Sequence, residues 1–347
     1  MINLEKEIRE QPAVLAGVRA ANIEKIESLV REAKAKGVAN ICFAARGTSD
    51  HASIFAQYLF GIYCAMPCSL ATPSVVSQYG GKLHFKDTLV IGVSQSGRAA
   101  DVIEVIECAK ACGAITASVT NDPASPLASA VDYSLCCNAG PEISIAATKT
   151  FTSQMYLLAT LCQVWSGSET LKTILDGVPA AVDKLLTYMP DEIETFIGKY
   201  AGLTDAVVLG RGTSYPIALE GALKVLETNQ VRMKGYPISD FHHGPLAQVK
   251  EGSLVIVLAP KGPVYDDALE MIDELDRIGA DVLIITDDKE LPAKRSGKVL
   301  VIPALGDDIG APWCMAVTMQ LIALKLTEVK GIDPDRSAVL NKITITK

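Results

Sequence analysis

Aromatic side chains are scarce in this sequence, and so are histidines: aromatics make up 5% of 347 residues, with two tryptophans and four histidines. The interior must therefore be aliphatic, and at 49% hydrophobic the chain can fill two such cores rather than stay disordered. A basic stripe or arm is missing as well. The 32 Lys and Arg residues against 40 Asp and Glu leave a net charge of −8, so nucleic acid is not expected as a partner. An anionic substrate stays open, because a phosphate pocket can be built from hydroxyls and amides. The nine cysteines are odd in number, and none stands in a Cys-x-x-Cys pair. Cys64/Cys68 and Cys108/Cys112 have the i, i+4 spacing that two zinc-binding thiolates would use, but small buried hydrophobes account for them, and no metal is expected. No run is long and apolar enough for a membrane span: the best helical candidate, Ala311 to Leu326, contains Pro312, Thr318, Gln320 and Lys325. No secretory signal precedes Leu4 to Ile8. The expectation is a reduced, cytoplasmic protein without membrane contact.

A repeated turn organises the rest. Ala206 to Leu209 reads as a short apolar strand, followed by Gly210-Arg211-Gly212-Thr213-Ser214 and a helical pattern from Tyr215 to about Asn229. Ala39 to Ala45 is another strand, followed by Arg46-Gly47-Thr48-Ser49 and a helical run from about Asp50 to Tyr63. Arg-Gly-Thr-Ser thus occurs twice, 165 residues apart (211 minus 46), each time between a strand and a helix. Such a turn leaves backbone N–H groups and hydroxyls at a helix N-terminus, which suits an anion. Plain strand–helix connections use the same turn. Two copies at this spacing indicate duplication of a whole α/β unit, in agreement with roughly two domains for this length.

Residues 1–37 are predicted as a helical segment, broken at Pro12 and ended at Lys36-Gly37. A first domain over 38–168 has strands at 39–45, 69–71, 88–93, 115–119 and 133–137, with helices at about 50–63, 99–111 and 149–166. A helical connection covers 169–200. The second domain, 201–330, has strands at 206–209, 254–258, 281–285 and 299–301 and helices at 215–229, 265–278 and 311–329. Short, continuously apolar strands alternating with helices give an α/β fold, each domain with a central parallel sheet covered on both faces. The tail, 331–347, is polar and too short to fold alone. It is either disordered or docked, and its pattern favours disorder.

Ser94-Gln95-Ser96-Gly97 ends a predicted strand just before a helix, where ligands of open α/β sheets bind. Two hydroxyl donors and a glycine that lets the backbone approach suit the phosphate of a metabolite. An N-cap serine explains one of these residues but not Ser, Gln and Ser together. On the helix 215–229, Glu220, Lys224 and Glu227 are spaced four and three and share a face. They read as a solvated ion pair; alternatively Glu227 reads, with His243 in the turn Asp240 to Leu246, as an acid–base pair that moves protons on a sugar.

Together these residues resemble the sugar isomerase (SIS) family, in particular the double-SIS isomerase portion of glucosamine-6-phosphate synthase and its single-enzyme relatives. The likeness covers nearly the whole chain. It runs through Lys6-Glu7-Ile8-Arg9-Glu10-Gln11-Pro12, Arg46 to Ser49, Ser94 to Gly97, Glu142-Ile143-Ser144-Ile145-Ala146-Ala147-Thr148-Lys149, Glu220 to Lys224, His243 to Leu246, and Asp333 to Lys342. The resemblance implies two flavodoxin-like three-layer αβα SIS domains related by duplication, plus a C-terminal catalytic tail. It implies that Gly47, Thr48, Ser49, Ser94, Gln95, Ser96 and Arg98, with Ile145, Ala147 and Lys224, bind a sugar 6-phosphate. Glu227 resembles the base that shuttles a proton between C1 and C2. His243 resembles the residue that opens the sugar ring, donated by the neighbouring subunit of a homodimer. Lys342 matches a lysine at the sugar's carbonyl end, which makes the tail an ordered lid. No cofactor is implied.

The synthase's glutamine-hydrolysing domain does not precede the first domain, so the chain is not expected to make ammonia from glutamine by itself. The synthase pattern has Glu-Thr after Ser-Gln-Ser-Gly, whereas here Arg98 and Ala99 follow. That turn and Ala146 to Lys149 are more similar to free-standing glucosamine-6-phosphate deaminases, which yield fructose 6-phosphate and ammonia. Fructosamine-6-phosphate deglycases, ketose/aldose phosphate isomerases and non-catalytic sugar-phosphate sensors share the architecture.

Overall fold

Each half of the chain builds one five-stranded parallel sheet. In the first, β1 (Asn40–Ala44), β2 (Cys68–Leu70), β3 (Thr88–Val93), β4 (Ile115–Thr120) and β5 (Tyr133–Cys136) lie in the order β2-β1-β3-β4-β5. In the second, β6 (Asp205–Gly210), β7 (Arg232–Pro237), β8 (Leu254–Leu258), β9 (Asp281–Thr286) and β10 (Lys298–Val301) lie in the order β7-β6-β8-β9-β10. Counted within each half, both orders are 2-1-3-4-5, the flavodoxin-like arrangement. The duplicated turn therefore marks a duplicated fold.

The computed structural model describes residues 2–295, 297–336, 339 and 342. Two units contain them: residues 13–142, 149–175 and Lys342 surround the first sheet, and residues 2–12, 143–148, 176–295, 297–336 and Val339 surround the second. The helices, in chain order, are α1 (Asn3–Val18), α2 (Ile23–Ala35), α3 (Thr48–Cys64), α4 (Pro73–Ser77), α5 (Ala100–Ala111), α6 (Pro126–Ala130), α7 (Lys149–Ser166), α8 (Glu169–Leu186), α9 (Met189–Ile197), α10 (Tyr215–Asn229), α11 (Ile238–Phe241), α12 (Tyr265–Ile278) and α13 (Ala311–Lys330).

Every residue of β3, β4 and β8 is buried; β8 and all but the first residue of β3 accordingly read as apolar runs, whereas β4 buries Thr116, Ser118 and Thr120 as well. On one face of the first sheet, α5 lays Val102, Val105, Ile106 and Ala109 against Cys42, Ala44 and Val90. On the second, α12 lays Ala268, Met271, Ile272 and Leu275 against Val207, Leu209, Val255, Val257, Val282 and Ile284. Both helices use i, i+3, i+4, i+7 spacing against alternate strand residues. Each large aliphatic side chain buried in this way contributes about 1.5–3 kcal/mol.

Several expectations change. Pro12 does not break the first helix, because α1 runs through it to Val18 and the break falls at residues 19–22. Proline has no N–H for the Ile8 carbonyl, and the Gln11 side chain supplies one instead, Nε2 to O 3.0 Å. Strand β7 has no counterpart among the predicted strands. It is an edge strand with Arg232 and Lys234 exposed, and it contains Gly235 and Pro237, so the apolar signal is missing. Gly235 is required there, since a Cβ would stand 2.5 Å from the Ala218 carbonyl oxygen. The spaced cysteines are not all core residues: Cys64, Cys68 and Cys108 are half-buried, and Cys112 is exposed. Among the described residues no group of three or more His, Cys, Asp or Glu could hold a metal ion. Nor is any helix among them long and apolar enough to cross a membrane.

The start of the tail is docked rather than disordered. The Asp335 carboxylate accepts from Asn3 N (2.6 Å) and Leu4 N (3.1 Å), satisfying the first N–H groups of α1 with a negative charge. Beyond Arg336 only Val339 and Lys342 are described, so the rest of the expected lid lies outside the described residues.

Candidate functional site

Neighbouring strands β1 and β3 end side by side, with Ala44 paired to Gly92, and the turns that follow carry the predicted anion ligands. After β1, Gly47 takes φ +54°, a left-handed value that costs glycine little, and α3 starts at Thr48. Ser49 is buried in the first turn of α3, and its Oγ accepts from Gln154 Nε2 of α7 at 3.1 Å. After β3, Ser94 Oγ accepts from Gly97 N (3.2 Å) and Ser96 Oγ from Arg98 N (3.3 Å). Each hydroxyl oxygen is thus engaged by a protein N–H, which leaves the hydroxyl hydrogen to donate. Three such donors suit a phosphate. The Gln95 carbonyl is fixed by Asn121 N at 3.0 Å and by Thr120 Oγ1 at 3.2 Å. Gly97 has φ +62°, and a Cβ there would stand 2.1 Å from Ser125 Oγ, so no other residue fits. Arg98 is half exposed and pairs with Asp122 at 3.3 Å.

The second Arg-Gly-Thr-Ser turn is built differently. Gly212 again has a positive φ, +59°. Thr213 Oγ1, however, donates to Asp308 O (2.7 Å) and Ser214 Oγ to Met315 Sδ (3.7 Å), and both residues are buried. Its hydroxyls are used within the core, so the anion-site reading does not hold for this copy.

In the second-sheet unit, α10 carries the titratable cluster. Lys224 Nζ lies 3.2 Å from Glu220 Oε1 and 2.6 Å from Glu227 Oε2. A solvated ion pair is excluded, because the Glu220 and Lys224 side chains are 2% exposed; Glu227, at 21%, is the open member. Burial alone would push the Lys224 ammonium down, but the two carboxylates outweigh it and hold it above the usual lysine value. Lys224 is therefore a fixed cation that grips one oxygen of Glu227.

Two buried glutamates hold the stretch from Glu142 to Thr150. In the second-sheet unit, Glu7 of α1 accepts from Ile143 N, from Ser144 N (3.3 Å) and from Ser144 Oγ (2.6 Å), fixing the loop that carries the half-buried Ile145 and Ala147. In the first-sheet unit, Glu142 accepts from Thr150 N (3.1 Å) and Oγ1 (2.7 Å) at the start of α7, and from Lys342 Nζ at 3.0 Å. The Glu142 side chain is fully buried and Lys342 is 21% exposed.

The SIS domain family model matches residues 34–163 and again 204–329, one segment around each sheet. The chain belongs to the SIS domain family. It is 34% identical over 343 residues to the glutamine–fructose-6-phosphate aminotransferase (isomerizing) of Aquifex aeolicus (strain VF5), a match that covers 98% of this chain and 57% of that relative. The chain thus spans little more than half the relative's length. The C-terminal domain of glucosamine-fructose-6-phosphate aminotransferase from Francisella tularensis superposes with a TM-score of 0.83 at 28% identity, over 96% of this chain and 98% of that one. A glucosamine-6-phosphate deaminase from Thermotoga maritima shares the fold, with a TM-score of 0.82 at 22% identity over 99% of this chain and 100% of that one.

In this SIS chain His243 sits exposed just after α11, its backbone N–H donating to Asp240 O at 3.0 Å. Its neighbour His242 lies 3.4 Å from Glu274 through Nδ1. The predicted site residues divide between the SIS units. Gly47, Thr48, Ser49, Ser94, Gln95, Ser96, Arg98 and Lys342 belong to the first-sheet unit, and Ile145, Ala147, Lys224, Glu227 and His243 to the second. Supporting residues outside the predicted set are Glu7, Glu142, Gln154 and Glu220. Gln154 could have been noticed as a long polar side chain in α7, where every residue from Lys149 to Gln163 is buried.

Proposed function

We propose that the chain is a phosphosugar isomerase of the SIS type that acts on an amino-sugar 6-phosphate, converting glucosamine 6-phosphate to fructose 6-phosphate and ammonia. One observation carries this reading: a carboxylate, Glu227, that is partly open and held by the buried cation Lys224. The Ser49, Ser94 and Ser96 hydroxyls hold the phosphate by donation. Glu227 takes the C2 proton of the open-chain aldehyde and returns it to C1. The C1 carbonyl thereby becomes a CH2OH group and the C2 amine becomes an imine. Water then adds to C2 and ammonia leaves, giving the ketose. Before this, His243 passes a proton from the C1 hydroxyl to the ring oxygen. Its exposure fits a residue that serves the sugar held by a second copy of the chain, which makes the active form a homodimer. Lys342, whose Nζ donates to Glu142, takes the role of ammonium donor at the carbonyl end in this reading.

The relative's printed name, with its fructose 6-phosphate and its isomerisation, supports the sugar and the reaction type. The Arg98 turn supports the deaminase direction through its likeness to deaminases. The deciding assay gives the protein glucosamine 6-phosphate and, separately, a fructosamine 6-phosphate, and measures ammonia, free amino acid and fructose 6-phosphate. Ammonia and fructose 6-phosphate in equal amounts from the first substrate are expected. Amino acid release from the second alone would make the protein a deglycase, and binding without turnover would make it a sensor.

A further inference from the structure

The arginine of the repeated turn, at 46 and again at 211, takes no part in the chemistry just proposed. In the first-sheet unit both Nε and Nη2 of Arg46 lie 2.7 Å from Asp101 Oδ2. Asp101 is in the first turn of α5, three residues after Arg98 (101 minus 98), and is 2% exposed. Its Oδ1 accepts from Val102 N at 2.9 Å, so the carboxylate is fixed at a helix N-terminus that favours negative charge. One ion pair therefore joins the turn that carries Ser49 to the helix entered from the turn that carries Ser94 and Ser96.

The duplicated half provides a natural comparison. Arg211 Nη1 lies 2.9 Å from Asp267 Oδ2, again in the first turn of the helix after the third strand of its sheet. That pair is 40% exposed on both sides, whereas the Asp101 side chain is 3% exposed. The residues 165 positions after Ser94 and Ser96 are Ala259 and Lys261, and the hydroxyls of Thr213 and Ser214 face the core. The strut occurs in both halves, with both arginines part-exposed, but only in the first half is its carboxylate buried and gripped through two nitrogens.

We propose that Arg46 and Asp101 form a positioning pair that sets the two hydroxyl turns at the spacing a phosphate requires, and that Arg46 is a strut rather than a phosphate ligand. The proposal rests on the phosphate-cradle reading. It is tested on the full chain by calorimetric binding of inorganic phosphate and by kinetics with glucosamine 6-phosphate. Asp101→Asn weakens one charge-assisted bridge and should raise both the phosphate Kd and KM roughly tenfold, with kcat within about twofold. Asp267→Asn, at the twin pair, should leave Kd and KM at wild-type values; an equal rise there would mean general destabilisation and overturn the proposal. If Ser94→Ala raises Kd and Asp101→Asn does not, the cradle stands and the positioning role falls. If neither moves Kd, the cradle reading fails and takes the proposal with it. Tighter phosphate binding in Asp101→Asn, with the guanidinium released, would make Arg46 a ligand and also overturn it. Should Asp101→Asn not fold, Arg46→Gln/Asp101→Asn leaves no buried charge unpaired and should show the same rise in Kd; a wild-type Kd in that protein sinks the proposal.

Discussion

Lys224→Met removes the cation that two carboxylates share. Glu220, 2% exposed, then loses the cation 3.2 Å from its carboxylate inside the protein. Removing one partner of a buried ion pair costs about 3–5 kcal/mol, which at about 2–4 °C per kcal/mol for a unit of this size lowers Tm by roughly 6–20 °C. The pH dependence has a definite sign. The two carboxylates hold the folded-state pKa of Lys224 above its usual value, so the stability it contributes is present below that value and the variant's deficit shrinks only as pH rises through it. The two tryptophans make the effect readable by unit: Trp313 lies in α13 of the same unit as Lys224, and Trp165 lies in the other. In a Trp165→Phe background, urea unfolding followed by Trp313 emission should show the lowered midpoint. Glu220→Gln/Lys224→Met, with the buried charges removed together, should recover most of the loss. An unchanged Trp313 midpoint in Lys224→Met would refute the reasoning, because Glu220 would then have another source of compensation.

Three further outcomes are expected. Glu142→Gln loses a charged acceptor for Lys342, a loss of about 1.5–3 kcal/mol, so trypsin should cut after Arg336 or Lys342 roughly 10- to 100-fold faster than in the wild type. Asp308 is pushed up to about 6 by burial and by the neighbouring Asp307 and Asp287. A carboxyl with a raised folded-state pKa destabilises as pH rises through that value, so Asp308→Asn should gain about 1–2 kcal/mol at pH 7 after allowance for solvent screening, and nothing near pH 4, in urea melts at the two pH values. Mixing inactive Glu227→Gln and His243→Ala subunits should restore about a quarter of wild-type activity, because half the dimers are mixed and each has one complete site; no recovery after proven subunit exchange would place His243 in its own chain's site.

The parallel sheets were legible because strands buried on both faces leave unbroken apolar runs, and β3 and β8 stand within a residue of their expected limits. Strand β7 escaped because an edge strand needs only one buried face, and its Arg232, Lys234 and Pro237 hide the pattern. Helix α1 continued through Pro12 because a side-chain amide replaced the missing N–H, a substitution that no local propensity encodes. The expectation of a serine cradle rests on position, since the ends of parallel strands are where ligands bind. The supporting glutamates were not. Glu7, Glu142 and Glu220 look like surface charges in sequence, and only the fold shows each of them buried, with the partners that make burial tolerable. The two copies of Arg-Gly-Thr-Ser likewise read alike, and only the inward hydroxyls of Thr213 and Ser214 separate them.

The central claim is that Glu227 carries the proton between C2 and C1. The most direct measurement follows solvent deuterium into the sugar by NMR while Glu227→Gln is incubated with glucosamine 6-phosphate in D2O. The amide keeps the shape and the Lys224 neighbour but cannot accept the proton, so exchange at C2 should fall about 10²–10⁴-fold while substrate still binds. Exchange at the wild-type rate in Glu227→Gln would contradict the claim and place the base on another residue.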